Sequence, residues 1–231
     1  AGSAERLPNH LTPMTIVTPE RALANGADTL VVKLESAPVD GVKLIKTYTF
    51  KRGDYAIGVK QDVVNGSAAT VHPQLYLQLT RDGTQPVQAG PAFLMGPTAY
   101  TGPAIYSAKA KYQKVDFTHL NENTADFEKN DTHGWVAMVQ HHFASAWSHN
   151  DAAPRTFFVD KTGPNLYRTG MLFPLGDLAA GQSKSFDAIL FVGPQEENKL
   201  SALAPGLELV KDYGWQRVLA EPLFWLLDQL H

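Results

Sequence analysis

The residues best placed to do chemistry sit in HGWVAMVQHHFASAWSH, positions 133–149, which holds four of the chain's eight histidines beside two tryptophans. Imidazoles at this density suggest a metal site or acid–base catalysis, so their spacing decides the matter. On a strand His-x-His puts two rings on one face, and on a helix His-x-x-x-His does so. Neither pattern occurs here. The adjacent His141 and His142 would leave a strand on opposite faces. His133, His141 and His149 follow at eight-residue steps, roughly 26 Å each if extended and about 12 Å if helical. In either form no pair shares a metal, and a structural segment is expected. As one strand, Trp135, Ala137, Val139, His141, Phe143 and Trp147 would line one face. Val136, Met138, Gln140, His142, Ala144 and Ala146 would line the other, as in a central strand covered on both sides. Helical spacing fits the same segment, so its secondary structure stays open.

Other chemistry finds less support. The chain has no cysteine, which removes disulfides, thiolate nucleophiles and thiolate-bound metals. Gly176 and Gly181 have the spacing of a phosphate loop, but Gln182 stands where lysine is needed and a strand pattern follows, so a turn is expected. Neither a nucleophile elbow nor a dinucleotide glycine motif is present. The acid pairs Asp126 with Glu128 and Glu196 with Glu197 lie in polar surroundings where solvated charge is the ordinary state. Asn65-Gly66-Ser67 and Asn130-Asp131-Thr132 match the N-glycosylation acceptor, which has no bearing in a bacterial source. Net charge is -3, with lysine and arginine scattered, so nucleic acid is not an expected partner. No catalytic, cofactor-binding or metal-binding residue is assigned.

These residues must be held by a fold, and the pattern is that of strands. In 231 residues, 44% hydrophobic and 19% charged, there is enough material for one large core. DTLVVKLES, VKLIKTYTF, YAIGVKQDVV and ATVHPQLYLQLT follow one another over positions 28–80, several with period-two alternation. Turn signals separate them: Val39-Asp40-Gly41, Arg52-Gly53-Asp54, Asn65-Gly66 and Asp82-Gly83. GPAFLMGPTAYTGP, positions 90–103, has too much glycine and proline for a central strand and is expected to be a long loop. Further strands are expected at 104–107, 112–117, 135–147, 156–160, 166–173 and 185–192, with NENTADFEKND, 121–131, as an exposed loop. About a dozen strands followed by helices indicate an all-β sandwich. The expected organisation is a lead-in over 1–27, the sandwich over 28–193 and a helical segment over 194–231.

EENKLSALA suits a short helix ended by Pro205-Gly206. The terminal stretch 215–231 is more informative. At helical spacing Trp215, Val218, Leu219, Pro222, Leu223, Leu226, Leu227 and Leu230 form one broad apolar face. Arg217, Glu221, Asp228 and His231 form the other, interrupted by Phe224 and Trp225. Such a face either packs on the sandwich or lies at a membrane interface, where one arginine against two acids makes adhesion hydrophobic. No apolar run is long enough to span a bilayer, and the opening AGSAER lacks the basic and apolar regions of a signal peptide.

Several blocks together carry a resemblance: KTYTFKRGDYAIGV (46–59) with DVVNGS, KYQKV (111–115), GWVAMVQHHFASAW (134–147), FVGP (191–194), LAPGLELVKDYGW and EPLFWLLDQLH. In order, and over about three quarters of the chain, they resemble the large periplasmic domain of bacterial YidC-type membrane protein insertases. The resemblance implies a β-supersandwich similar to galactose mutarotases, with short C-terminal helices and no cofactor. In full-length members a transmembrane helix precedes this domain and a five-helix insertase core follows it. Positions 230–231 would then fall just before the second transmembrane helix. The resemblance also implies the periplasmic face of the inner membrane, with nascent membrane proteins and accessory subunits of the Sec translocon as partners. No short motif marks a Sec contact. The interaction residues expected are Trp215, Leu219, Pro222, Leu223, Phe224, Trp225, Leu226, Leu227 and Leu230, facing the membrane. The alternative on the same fold is a carbohydrate-binding protein or mutarotase-like epimerase.

Overall fold

The computed structural model describes residues 6–84 and 100–211. The terminal stretch 215–231, with every expected membrane-facing residue, lies outside them, as does most of the glycine- and proline-rich 90–103 stretch.

The alternating segments form strands as expected. β1 (Met14–Ile16), β2 (Thr29–Ser36), β3 (Val42–Lys51) and β4 (Ala56–Asn65) are consecutive antiparallel neighbours. β1 falls within the lead-in and forms one edge of the sheet. Val39-Asp40-Gly41 is the tight turn before β3. Asp40 and Gly41 both have positive φ (47° and 84°), and Val39 and Val42 exchange backbone hydrogen bonds, so a glycine suits the second position.

The chain continues through β5 (Gln74–Asp82), β6 (Gly102–Ser107), β7 (Lys111–Lys114), the one-turn helix α1 (Phe117–Asn121) and β8 (Asn130–Asp131). β9 (Gly134–Val139), β10 (Phe143–Ser148), β11 (Arg155–Gly163), β12 (Leu166–Pro174) and β13 (Ser183–Pro194) complete the strands. α2 (Glu197–Leu203) and a 3-10 helix (Leu207–Val210) follow. One sheet has nine strands in the order β1-β2-β3-β4-β13-β10-β9-β6-β7, the other four, β5-β12-β11-β8. This is the expected all-β sandwich with short helices after the last strand.

Three local expectations are corrected. Residues 135–147 are not one element but a hairpin, β9 and β10, closed by Gln140, His141 and His142. Positions 117–121 are helical rather than the end of a strand and the start of a loop. Gly102 and Pro103 belong to β6, inside the nine-stranded sheet. Proline is tolerated there because it is the second residue of the strand, and pairing with β7 begins only at Ala104.

The sandwich core lies between the sheets, where Val63, Ile105, Val136 and Ala188 meet Leu77, Phe157, Met171 and Phe173. The outer face of the large sheet has a second core. Trp135, Ala137, Val139, Ala144 and Ala146 pack there under Leu200 of α2 and Leu207 and Val210 of the 3-10 helix. The Trp135 indole N–H donates to the Pro205 carbonyl at 3.0 Å. Both faces of the hairpin are therefore apolar, as read from its sequence, because a sheet covers one and helices the other.

Candidate binding site

The four histidines separate into two groups. His141 and His142 sit in the hairpin turn, their rings edge to face with centroids 4.0 Å apart. The turn is held from afar: the Gln195 side chain donates to the Gln140 and Phe143 carbonyls (2.7 and 3.2 Å), and the Gln195 backbone N–H donates to His142. Adjacent rings thus meet instead of diverging, because the expected divergence presupposed a strand.

The hairpin also undoes the long separation expected for the outer pair. Trp135 pairs with Ser148, and His133 and His149 line one shallow depression beside residues 201–205. His149 is a packing residue there. Its ring stacks on Phe186 at 4.3 Å, and its Nδ1–H donates to the Asp187 carbonyl at 2.6 Å. Among the described residues no group of three His, Asp or Glu side chains could hold a metal ion. Residues 176–182 turn into β13, as expected, and Asn65, in one of the two acceptor matches, is fully buried. Its amide donates to the carbonyls of Ala69 and Leu178, both at 2.8 Å.

A cavity of about 110 Å³, which no motif signalled, opens between β3, β4 and β5. Residues 7–10 form part of its lining. The Tyr76 hydroxyl accepts from the His10 backbone N–H at 3.1 Å and lies 2.7 Å from the His10 ring Nδ1. With its oxygen accepting from the backbone, the hydroxyl has its own proton to give to Nδ1. Leu44, Val63, Leu75 and Leu175 supply apolar wall.

Two polar side chains share that wall because of strand register. Lys46 on β3 is the cross-strand partner of Gln61 on β4, so the two project to the same face. Burial pushes the Lys46 ammonium pKa down. Two positions along β3 on the same face, burial pushes the Tyr48 hydroxyl pKa up. The neighbouring acids belong to the opposite face. Glu35 takes Lys43 and Lys33 as partners, which hold its pKa down, and Asp62 lies 3.5 Å from Lys60. The described lining of the cavity contains no carboxylate. The polar groups this lining offers a ligand include Lys46 and Gln61, and among its described residues there is no His–carboxylate pair.

A family model described as the YidC periplasmic domain matches residues 1–226. The membrane protein insertase YidC of Aromatoleum aromaticum is 46% identical over 227 residues, covering 98% of this chain and 41% of that protein. The same-named protein of Cupriavidus taiwanensis is 49% identical over 226 residues, covering 97% of this chain and 39% of that protein. The chain thus spans about two fifths of the length of these relatives. Among solved structures, a galactose mutarotase related enzyme from Lactobacillus acidophilus aligns with a TM-score of 0.43 at 10% identity, over 78% of this chain and 70% of that one.

Proposed function

Because the chain belongs to the YidC periplasmic domain family, we propose that it is the non-catalytic periplasmic part of a membrane protein insertase, at the periplasmic face of the bacterial inner membrane. In this reading it assists insertion and folding of nascent membrane proteins through contacts rather than chemistry. The observation that carries the proposal is the family match along nearly the whole chain. Support for the absence of catalysis comes from the cavity, whose described lining has no acid to work with a histidine. Accessory subunits of the Sec translocon are the proposed partners, on the family resemblance alone.

The proposed coupling to the membrane is the apolar face of 215–231: Trp215, Leu219, Pro222, Leu223, Phe224, Trp225, Leu226, Leu227 and Leu230. Burying four of its five leucines is worth roughly 6–12 kcal/mol before ordering costs. Lipid charge adds little, since Glu221 and Asp228 offset Arg217. The test is complementation of a depletion strain by the full-length protein carrying Leu223→Asn with Leu227→Asn, with abundance followed by immunoblot. Impaired growth at normal abundance is expected. Full growth at normal abundance removes this face from the function.

A further inference from the structure

The cavity between β3, β4 and β5 leaves two polar side chains without an answer from the protein. Gln61 is 5% exposed, and Lys46 projects beside it from the paired position on β3. Among the described residues neither side chain has a hydrogen bond or an ion pair, while the adjacent acids Glu35 and Asp62 are taken by lysines on the other face. Lys46 is half-buried, and the polar atoms of both side chains open onto the cavity rather than being sealed in the core. A lysine and an amide side chain that share one largely aliphatic cavity have the make-up of a small-ligand site.

The chemistry of that ligand follows from the walls. One cation and one amide donor stand side by side, which suits the two oxygens of a carboxylate. Around them Leu44, Val63, Leu75 and Leu175 offer only aliphatic surface, which a bare inorganic anion would not use. The volume of about 110 Å³ is smaller than the ~150 Å³ of a cavity that takes up benzene. It therefore suits a branched aliphatic group the size of a leucine side chain. A cation is excluded by Lys46.

We propose that this cavity binds a carboxylate carried on a short aliphatic group, with Lys46 Nζ and Gln61 Nε2 donating to its oxygens. A free short-chain acid and the apolar C-terminal residue of a peptide both present this chemistry. The site goes beyond the insertase reading and does not depend on it.

The experiment is a titration of isotope-labelled protein, followed by amide chemical shifts, with N-acetylleucine, isovalerate and N-acetylleucinamide. The two acids should shift Leu44, Val63 and Leu75 saturably, and the leucinamide should bind at least tenfold more weakly. Lys46→Met and Gln61→Leu should each weaken the acids at least tenfold. If Lys46→Met does not fold, Lys46→Arg keeps the charge and should keep the binding. A tenfold preference for N-acetylleucine over isovalerate identifies a peptide C-terminus, and equal affinity identifies a free acid; both support the site. Equal binding of N-acetylleucine and its amide, or no saturable shift with either acid, overturns the proposal.

Discussion

The Arg155 guanidinium lies 5.0 Å from the centre of the Phe173 ring, in the core rather than at the surface. Arg155 is 2% exposed and no carboxylate is bonded to it among the described residues. Instead its five N–H groups reach five backbone carbonyls, those of Ala153, Gly134, His149, Thr132 and Asp151, at 2.6–3.2 Å. One side chain thereby ties together both ends of the β9–β10 hairpin and the loop leading to β11.

Lysine cannot replace it. With three donors on a flexible stem, Arg155→Lys leaves at least two of the five carbonyls unanswered and loses the planar group over Phe173. At about 1–3 kcal/mol for each unsatisfied group, the expected loss is about 3 kcal/mol. Urea unfolding of both proteins measures it. A change below about 0.5 kcal/mol would show that the carbonyls find other donors.

Asp131, at the start of the same hairpin, governs an acid-side dependence. Burial acts to raise its pKa, but backbone N–H groups of His133, Thr132 and Lys109 donate to the carboxylate and hold it below the ordinary 3.8. A carboxyl with a lowered folded pKa adds stability above its unfolded value, and that stability is lost as pH falls through the folded value. Asp131→Asn should therefore cost about 1 kcal/mol at pH 7 and almost nothing once the wild-type carboxyl is protonated. Denaturant titrations across the acid range test this, and a cost independent of pH would refute the carboxylate's role.

How much of this was readable beforehand depends on where each partner lies. β2, β3 and β4 follow from alternation and from local turns such as Asp40-Gly41, because the information is contained within a few residues. The hairpin turn at Gln140, His141 and His142 was missed because it contains no glycine, proline or asparagine. What holds it is Gln195, more than fifty residues on. The cavity was missed for a related reason. Lys46 reads as one more polar residue in a strand until register sets it beside Gln61, and the apolar wall comes partly from Leu75 and Leu175.

The hairpin position of the histidines sharpens the expectation about metals. His141 and His142 have each other as neighbours at an exposed turn, and no third ligand stands near them among the described residues. Protein purified without a histidine tag is expected to carry no stoichiometric zinc, nickel or copper by elemental analysis. One equivalent of metal that disappears in His141→Ala would contradict this.

The alternative of sugar mutarotation makes a separate demand on the cavity. Opening a pyranose ring needs one group to take the anomeric hydroxyl proton and another to protonate the ring oxygen, within hydrogen-bond reach of one substrate. The described lining offers His10, Tyr76 and Lys46. Tyr76 and His10 are bonded to each other, which occupies the hydroxyl and Nδ1. Lys46 has no carboxylate beside it in that lining to complete an acid–base pair. Polarimetry with a panel of aldoses is therefore expected to show the same rate with this protein as with an equal mass of inert protein. Catalysed mutarotation that is lost in His10→Ala would mean that the cavity is an active site and that the non-catalytic reading of the domain is wrong.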